Sequence, residues 1–292
     1  MIIQMHKLLE DAKKRKYGIA APNVFNRETI EAAFEAGRIL RSPVILDVHP
    51  THGIYECADI ARFFEKRYPE VPVALNLDHG SEYKLIVSAI QAGFSSVMVD
   101  RSTLPYEENI KEVKEIVKIA HSLDISVEAE FGHVGQADKY TETRDAGLTR
   151  PDEAVSYVKD TKVDCLAVAV GTSHGIYKGT PKIDFKLLKI LSARISIPLV
   201  LHGGSNTGDD NLCNAIKCGV QKINLATDLN TAGLKCIKKA GDNNFLKEFP
   251  GKTKDETVTK RMNLQQLIME GVEGYQKQLM YYMNLFNSSN KF

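Results

Sequence analysis

Short apolar runs recur along this 292-residue chain at intervals of about 25 to 35 residues, separated by stretches with helical spacing. The runs cover residues 18–24, 44–48, 73–77, 96–99, 126–130, 165–170, 199–201 and 222–225. Continuous hydrophobic strands of this kind are covered on both faces, as in parallel sheets. A first helix is expected at 5–15, and 27–38 holds neither proline nor glycine until Gly37. In 107–121, Ile110, Val113, Ile116, Val117 and Ala120 share one helical face while lysines and glutamates occupy the other. Eight strands, each followed by a helix, predict an α/β fold: a TIM (β/α)8 barrel formed as one domain over residues 1–292. In that fold chemistry gathers at the C-terminal ends of the strands.

Two segments break the rhythm. Residues 132–150 form a long polar loop after the fifth strand, which reads as a lid. Residues 241–260 read as a surface connection to a terminal helical extension at about 262–286. The terminal helix carries Leu279, Met280, Met283 and Phe286 as a stripe for the core or for a neighbouring subunit.

With 38 basic and 37 acidic residues, nothing suggests nucleic acid or a lipid surface as a partner. A small molecule remains. The five cysteines (Cys57, Cys165, Cys213, Cys218, Cys236) are scattered, as reduced thiols in a cytosolic protein would be. The charged first 16 residues do not read as a secretory leader, and no run of about 18 apolar residues occurs. A soluble, cytoplasmic protein is expected.

Three strands end in the same way. The third runs into Asp78-His79-Gly80, the sixth into Gly171-Thr172-Ser173-His174-Gly175, and the seventh into His202-Gly203-Gly204-Ser205. Barrel geometry would put His79, His174 and His202 on one rim, and three neutral imidazoles with an open fourth position suit a catalytic zinc. His6 and His121 fall in helical patterns, His49 and His52 follow the second strand near the same rim, and His133 opens the loop. Read alone, Asp78 is a helix cap and Gly203-Gly204 a tight turn.

The stretches Leu77-Asp78-His79-Gly80, Val127-Glu128-Ala129-Glu130-Phe131-Gly132, Val168-Ala169-Val170-Gly171-Thr172-Ser173-His174-Gly175, Leu199-Val200-Leu201-His202-Gly203-Gly204-Ser205 and Ile223-Asn224-Leu225-Ala226-Thr227-Asp228 resemble, in order and spacing, motifs of the class II zinc-dependent ketose-bisphosphate aldolases. The resemblance implies a lyase that cleaves a phosphorylated ketose reversibly to dihydroxyacetone phosphate and an aldehyde. It implies that His79, His174 and His202 bind one Zn2+, which polarises the ketone. Asp78 would exchange a proton with the C4 hydroxyl. Glu130 and Asp100 match a second or alternate metal position. Gly175, Gly203, Gly204, Ser205, Asn224 and Thr227 match positions that hold the phosphate and ketone, with Lys178 adding positive charge, Asn23 at the first strand end, and a monovalent cation beside the phosphate. Family members are homodimers or homotetramers.

The departures bear on the substrate. Where the family has a loop glutamate that moves a proton, this chain has Asp138, with Glu142 four residues on. Where the bisphosphate enzymes have an arginine for the second phosphate, it has Met269-Glu270-Gly271. Methionine cannot bind a phosphate as arginine does. The expected substrate is therefore a ketose 1-phosphate with a non-phosphorylated far end, read by His49 and Arg101. Fructose-1,6- or tagatose-1,6-bisphosphate cleavage is the alternative, and a non-catalytic partner subunit a further one. A zinc hydrolase would be expected to draw a ligand from the first strand, where Ala20-Ala21-Pro22-Asn23 holds no histidine. A Schiff-base aldolase needs a lysine inside the barrel near a strand end, and Lys222 is expected to begin the eighth strand at its opposite end.

Overall fold

The computed structural model describes residues 1–139, 144–177, 179–244 and 263–292. The chain runs α1 (Met5–Arg15), β1 (Ile19–Pro22), α2 (Arg27–Leu40), β2 (Val44–Val48), α3 (Ile54–Arg67), β3 (Val73–Gly80), α4 (Tyr83–Ala92), β4 (Ser96–Val99), α5 (Tyr106–Ser122) and β5 (Ser126–Phe131). It continues through α6 (Pro151–Thr161), β6 (Cys165–Val168), α7 (Phe185–Arg194), β7 (Leu199–Leu201), α8 (Asp209–Lys217), β8 (Val220–Leu225), α9 (Thr227–Asn244) and α10 (Leu264–Leu285). The eight strands are parallel, in the order β1-β8-β7-β6-β5-β4-β3-β2. A bridge between Asn23 and Asp47, with the Val24 N–H donating to the Asp47 carbonyl at 2.9 Å, closes β1 onto β2. This is the expected TIM barrel. Among the described residues no helix is long and apolar enough to cross a membrane.

Successive inward positions, two residues apart, climb the inside of each strand. The lowest layer is apolar. Ile19, Ala21, Ile45, Ala74, Cys165, Ala167 and Val200 pack there against Met5, Leu8, Leu9 and Ala12 of α1, which plugs the bottom. Lys13 fixes the plug by donating to the carbonyls of Ser196 and Ile197 at 2.5 and 2.9 Å. Two residues above Ile45 and Ala74 stand Asp47 and Asn76, in a polar layer shared with Glu128 and Lys222. Another two residues up, Asp78, Glu130, Asn224 and His202 reach the rim.

The sequence boundaries need correction at five strands. β1 and β6 are shorter than expected, β3 extends to Gly80 and β5 to Phe131, and β8 starts at Val220. The early start of β8 places Lys222 inside the barrel, fully buried, and not at its far end. Helix α9 runs on to Asn244, so the first residues of the expected 241–260 connection are helical, and the rest lies outside the described residues. The stripe on α10 serves the chain's own core, since Leu279, Met283 and Phe286 are buried there. A Cβ on Gly274 would sit 2.7 Å from the Ala232 carbonyl, so glycine is what lets α10 lie close on α9. From that seat, Tyr275 donates its hydroxyl to the Asn23 carbonyl at 2.8 Å and steadies the rim from outside.

Candidate active site

The C-terminal rim opens into a cavity of about 420 Å³. Its geometry begins with a bulge. A regular strand would point Asp78 and His79 to opposite faces. Instead the β3–β4 register shifts between Leu77 and Gly80, and His79 adopts a left-handed φ of 53°. Such a backbone costs energy in a non-glycine residue and persists where the surroundings enforce it. Here they do: a Cβ on Gly80 would lie 2.4 Å from the Met98 carbonyl, so only glycine lets β3 rejoin β4 so closely. The bulge turns Asp78 and His79 into the same cavity.

There His79 meets His174 and His202. Ring centroids are 5.0 Å apart for His79 and His174, 4.7 Å for His79 and His202, and 5.6 Å for His174 and His202, all nearly edge to face. One donor nitrogen from each ring lies within 4.8 Å of the others. The outer hydrogen bonds decide which nitrogens face inward. Asp100 Oδ2 takes the Nδ1–H of His79 at 2.8 Å, and Glu128 Oε1 takes the Nε2–H of His202 at 3.0 Å. The remaining nitrogens, His79 Nε2 and His202 Nδ1, face each other at 3.1 Å as two lone pairs.

That juxtaposition needs a positive charge between the rings. Burial opposes a charge on His79, but Asp78, Asp100 and Glu130 outweigh it and hold its pKa up to about 10, so a proton can fill the gap. A divalent cation fills it better, because His174, driven to about 3 by burial and then by His202 and His79, stays a neutral ligand. The donor set fits a metal with an open position. Glu130 stands beside it, with Oε1 bound by the Val134 N–H at 2.8 Å and a buried Oε2 that has no hydrogen-bond partner among the described residues. His79, Asp100 and Glu130 form a second group of donors within 4.8 Å. Of these, Asp100 orients His79 and also accepts from Ser102, leaving Glu130 Oε2 as the uncommitted ligand.

Asp78 is the adjacent base. Its Oδ2 accepts from Asn23 Nδ2 at 2.8 Å and its Oδ1 from Asn224 Nδ2 at 3.1 Å. Burial would raise its pKa, but His79, His202, Lys222 and the Asn23 hydrogen bond hold it well below the usual carboxylate range. Gly203, Gly204 and Ser205 line the same cavity as Thr227 at the start of α9, where the Ser205 hydroxyl accepts the N–H groups of Ala226 and Asp228 at 3.2 Å each, and the N-terminus of a helix suits an anion. A Cβ on Gly203 (φ 67°) would lie 2.3 Å from the Ser173 carbonyl, so the glycine brings the His202 and His174 loops together. His174 is tied to the loop after β5 through Gly135 and Ala137, at 2.9 and 2.8 Å.

Gly175 and His49 also line the cavity. Arg101 does not, which corrects the expectation that it reads substrate. Its guanidinium donates to the carbonyls of Gly80, Ser81 and Asp100 at 3.0, 2.8 and 2.8 Å and pairs with Glu112, so it locks the β3 and β4 ends from behind. The backbone of Asp138 lies in a single turn at Ala137–Lys139, but its side chain, like Lys178 and Glu142, is outside the described residues.

The model of the class-II fructose-bisphosphate aldolase family matches residues 3–291. The chain belongs to that family. The aldolase is similar to the YdjI aldolase from Escherichia coli K12, with 29% identity and a TM-score of 0.84 over 100% of this chain and 99% of that one. It also shares its fold with the fructose-bisphosphate aldolase of Campylobacter jejuni, at 23% identity and a TM-score of 0.83 over 100% and 97% of the two chains. It is an aldehyde-lyase of a generally metal-dependent family, and its metal-type donor group sits where the barrel gathers chemistry.

Sequence reading of this aldolase missed Glu128 as a site residue. The signal was there: Glu128 and Glu130 are two apart in β5, so both must point into the barrel. Glu128 is fully buried and bridges His202 to Lys222, whose Nζ donates to Glu128 Oε2 at 2.8 Å and lies 3.2 Å from Asp47 Oδ2. Burial pushes Glu128 up and Lys222 down, but Lys222 and then His202 outweigh it for Glu128, and Asp47 and then Glu128 outweigh it for Lys222, so the carboxyl is held low and the ammonium high. Lys222 is thus a committed cation and no Schiff-base nucleophile, for this physical reason and not for the position first assigned to it.

Proposed function

We propose that this aldolase reversibly cleaves a ketose 1-phosphate to dihydroxyacetone phosphate and an aldehyde with a non-phosphorylated far end. Zn2+ would be held by His79, His174 and His202, with Glu130 as a second or alternate ligand. The observation that carries the reading is the meeting of inward ring nitrogens beside an ionised Asp78. Bound zinc supplies Lewis acidity toward the substrate ketone. Asp78, held by Asn23 and Asn224, takes the C4 hydroxyl proton; the C3–C4 bond then breaks, its electron pair passing toward the ketone carbonyl as the aldehyde forms. A proton returns to C3 from the loop acid, Asp138 or Glu142, and the loop acts as a lid. Gly203, Gly204, Ser205 and Thr227, with Gly175 and Lys178, hold the phosphate, alongside a monovalent cation.

For the far end, the support is a matter of charge. Among the described residues, none lining the cavity is a lysine or arginine. Met269, where the family has its second phosphate ligand, is half exposed on α10 and does not line the cavity. We further propose a cytoplasmic homodimer or homotetramer, in keeping with five free cysteines. Release of dihydroxyacetone phosphate from fructose 1-phosphate, fructose 1,6-bisphosphate and tagatose 1,6-bisphosphate, measured with zinc and after chelation, tests the whole reading. Faster cleavage of the monophosphate and its loss on chelation are expected. A preference for either bisphosphate would establish the true bisphosphate aldolase instead, and inertness with bound zinc would leave a non-catalytic subunit.

A further inference from the structure

The outer end of the cavity carries two histidines, His49 and His52, on the short turn Pro50–His52 that follows β2. Their hydrogen bonds set the two rings in opposite tautomers. His49 caps the turn, and its Nδ1 accepts the Thr51 N–H at 3.4 Å with the Thr51 hydroxyl at 2.8 Å. An accepting Nδ1 leaves the ring proton on Nε2. His52 Nδ1 lies 3.1 Å from the Val24 carbonyl, which can only accept, so this nitrogen carries the proton and Nε2 keeps a lone pair. The two histidine ring centroids are 5.6 Å apart, and the Phe25 ring centroid lies 5.7 Å from that of His52 in an edge-to-face arrangement. Burial, and then His52 and His79 against Asp78, keeps His49 below the usual imidazole pKa, which favours its neutral form.

We propose that His49 and His52 act as a donor–acceptor pair that selects an uncharged, hydroxylated far end, such as two adjacent hydroxyls on the aldehyde half of the substrate. The inference rests on the aldolase reading above and narrows its substrate class. A phosphate or carboxylate offers oxygens that accept, and these would meet the lone pair of His52 Nε2 with no lysine or arginine among the described lining residues to compensate. A diol satisfies both rings, accepting from His49 Nε2–H and donating to His52 Nε2. An alkyl tail would leave both nitrogens without a partner, and sites built to bond a hydroxyl reject analogues lacking it.

Two measurements test the pair. Long-range 1H–15N spectra of protein labelled in its histidine rings, assigned with His49→Gln and His52→Gln, should show the Nε2–H tautomer for His49 and the Nδ1–H tautomer for His52. Finding both rings in one tautomer would overturn the proposal. Zinc-loaded protein would then be given dihydroxyacetone phosphate with glyceraldehyde, propanal or glyceraldehyde 3-phosphate. Glyceraldehyde should lead propanal in kcat/KM by about tenfold or more, and His52→Leu should reduce that ratio by about tenfold. A ratio unchanged in His52→Leu, or a preference for the phosphorylated aldehyde, would refute the pair while leaving the aldolase intact. No condensation with any aldehyde would instead refute the aldolase reading, and this inference with it.

Discussion

Two levels inside the barrel, two residues apart along each strand, use the same kinds of side chain and end in opposite states. In the lower level Asp47 and Glu128 share the ammonium of Lys222, all three fully buried. In the upper level His79, His174, His202 and Glu130 crowd together with no lysine among the described residues that line the cavity, leaving two ring nitrogens face to face and a carboxylate oxygen without a hydrogen-bond partner among the described residues. A buried charge is tolerated when a counter-charge is built beside it. The lower level makes its own cation, and the upper one is arranged to receive one. Glu128 belongs to both, because one oxygen takes Lys222 and the other takes His202.

Perturbing each level should separate these roles. Asp78→Asn removes the base but none of the three metal-type rings, so kcat should fall by about 10²–10⁴ with zinc content unchanged. Equal loss of zinc, measured by elemental analysis, would make Asp78 part of the metal site instead.

Lys222→Met attacks the lower level. It strands two buried carboxylates and should cost about 3–5 kcal/mol in chemical denaturation. The loss should depend on pH with a definite sign. Burial already pushes Asp47 up, and without Lys222 it rises further. An acid with a raised folded-state pKa binds its proton more tightly when folded, so the variant gains stability relative to the parent as pH falls from about 8 to about 5. A deficit that stays constant across this range would mean the carboxylates had found another counter-charge.

Glu128→Gln probes the link between levels. Weakening the partner of a ligating histidine should lower zinc affinity by about 10–100-fold in a chelator competition, with a smaller change in stability than Lys222→Met. Finally, Arg101→Met removes donors from three carbonyls behind the rim and should cost about 1–3 kcal/mol, while the preference between mono- and bisphosphate substrates stays as in the parent. A changed preference would return Arg101 to the substrate.

Much of the upper level was legible because barrel strands announce themselves by apolar runs, and polar residues just past a run fall on the rim. His79, His174 and Asp78 line the cavity by that rule, and His202, buried just beneath it, joins the other two rings. The His79 backbone was not legible, since a bulge depends on how β3 meets β4 across the sheet. Arg101 misled for a related reason: a cation two residues past a strand end is near the rim in sequence, yet the carbonyls of Gly80, Ser81 and Asp100 and the Glu112 carboxylate hold it behind. Lys222 was misplaced because Val220-Gln221 was not seen as strand, a two-residue error that moves a side chain from the bottom edge to the barrel's interior.

Sequence by itself determined the barrel, the rim on which chemistry stands, and the residue types available there, because hydrophobic periodicity and strand ends are local properties of a chain. Tertiary structure decided which nitrogen of each histidine faces inward, which carboxylate is spoken for, and which cation stays at home in the lower level. Those outcomes depend on hydrogen-bond partners contributed by distant strands, and a tautomer is selected or an ion pair formed only once both partners have been brought within about 3 Å.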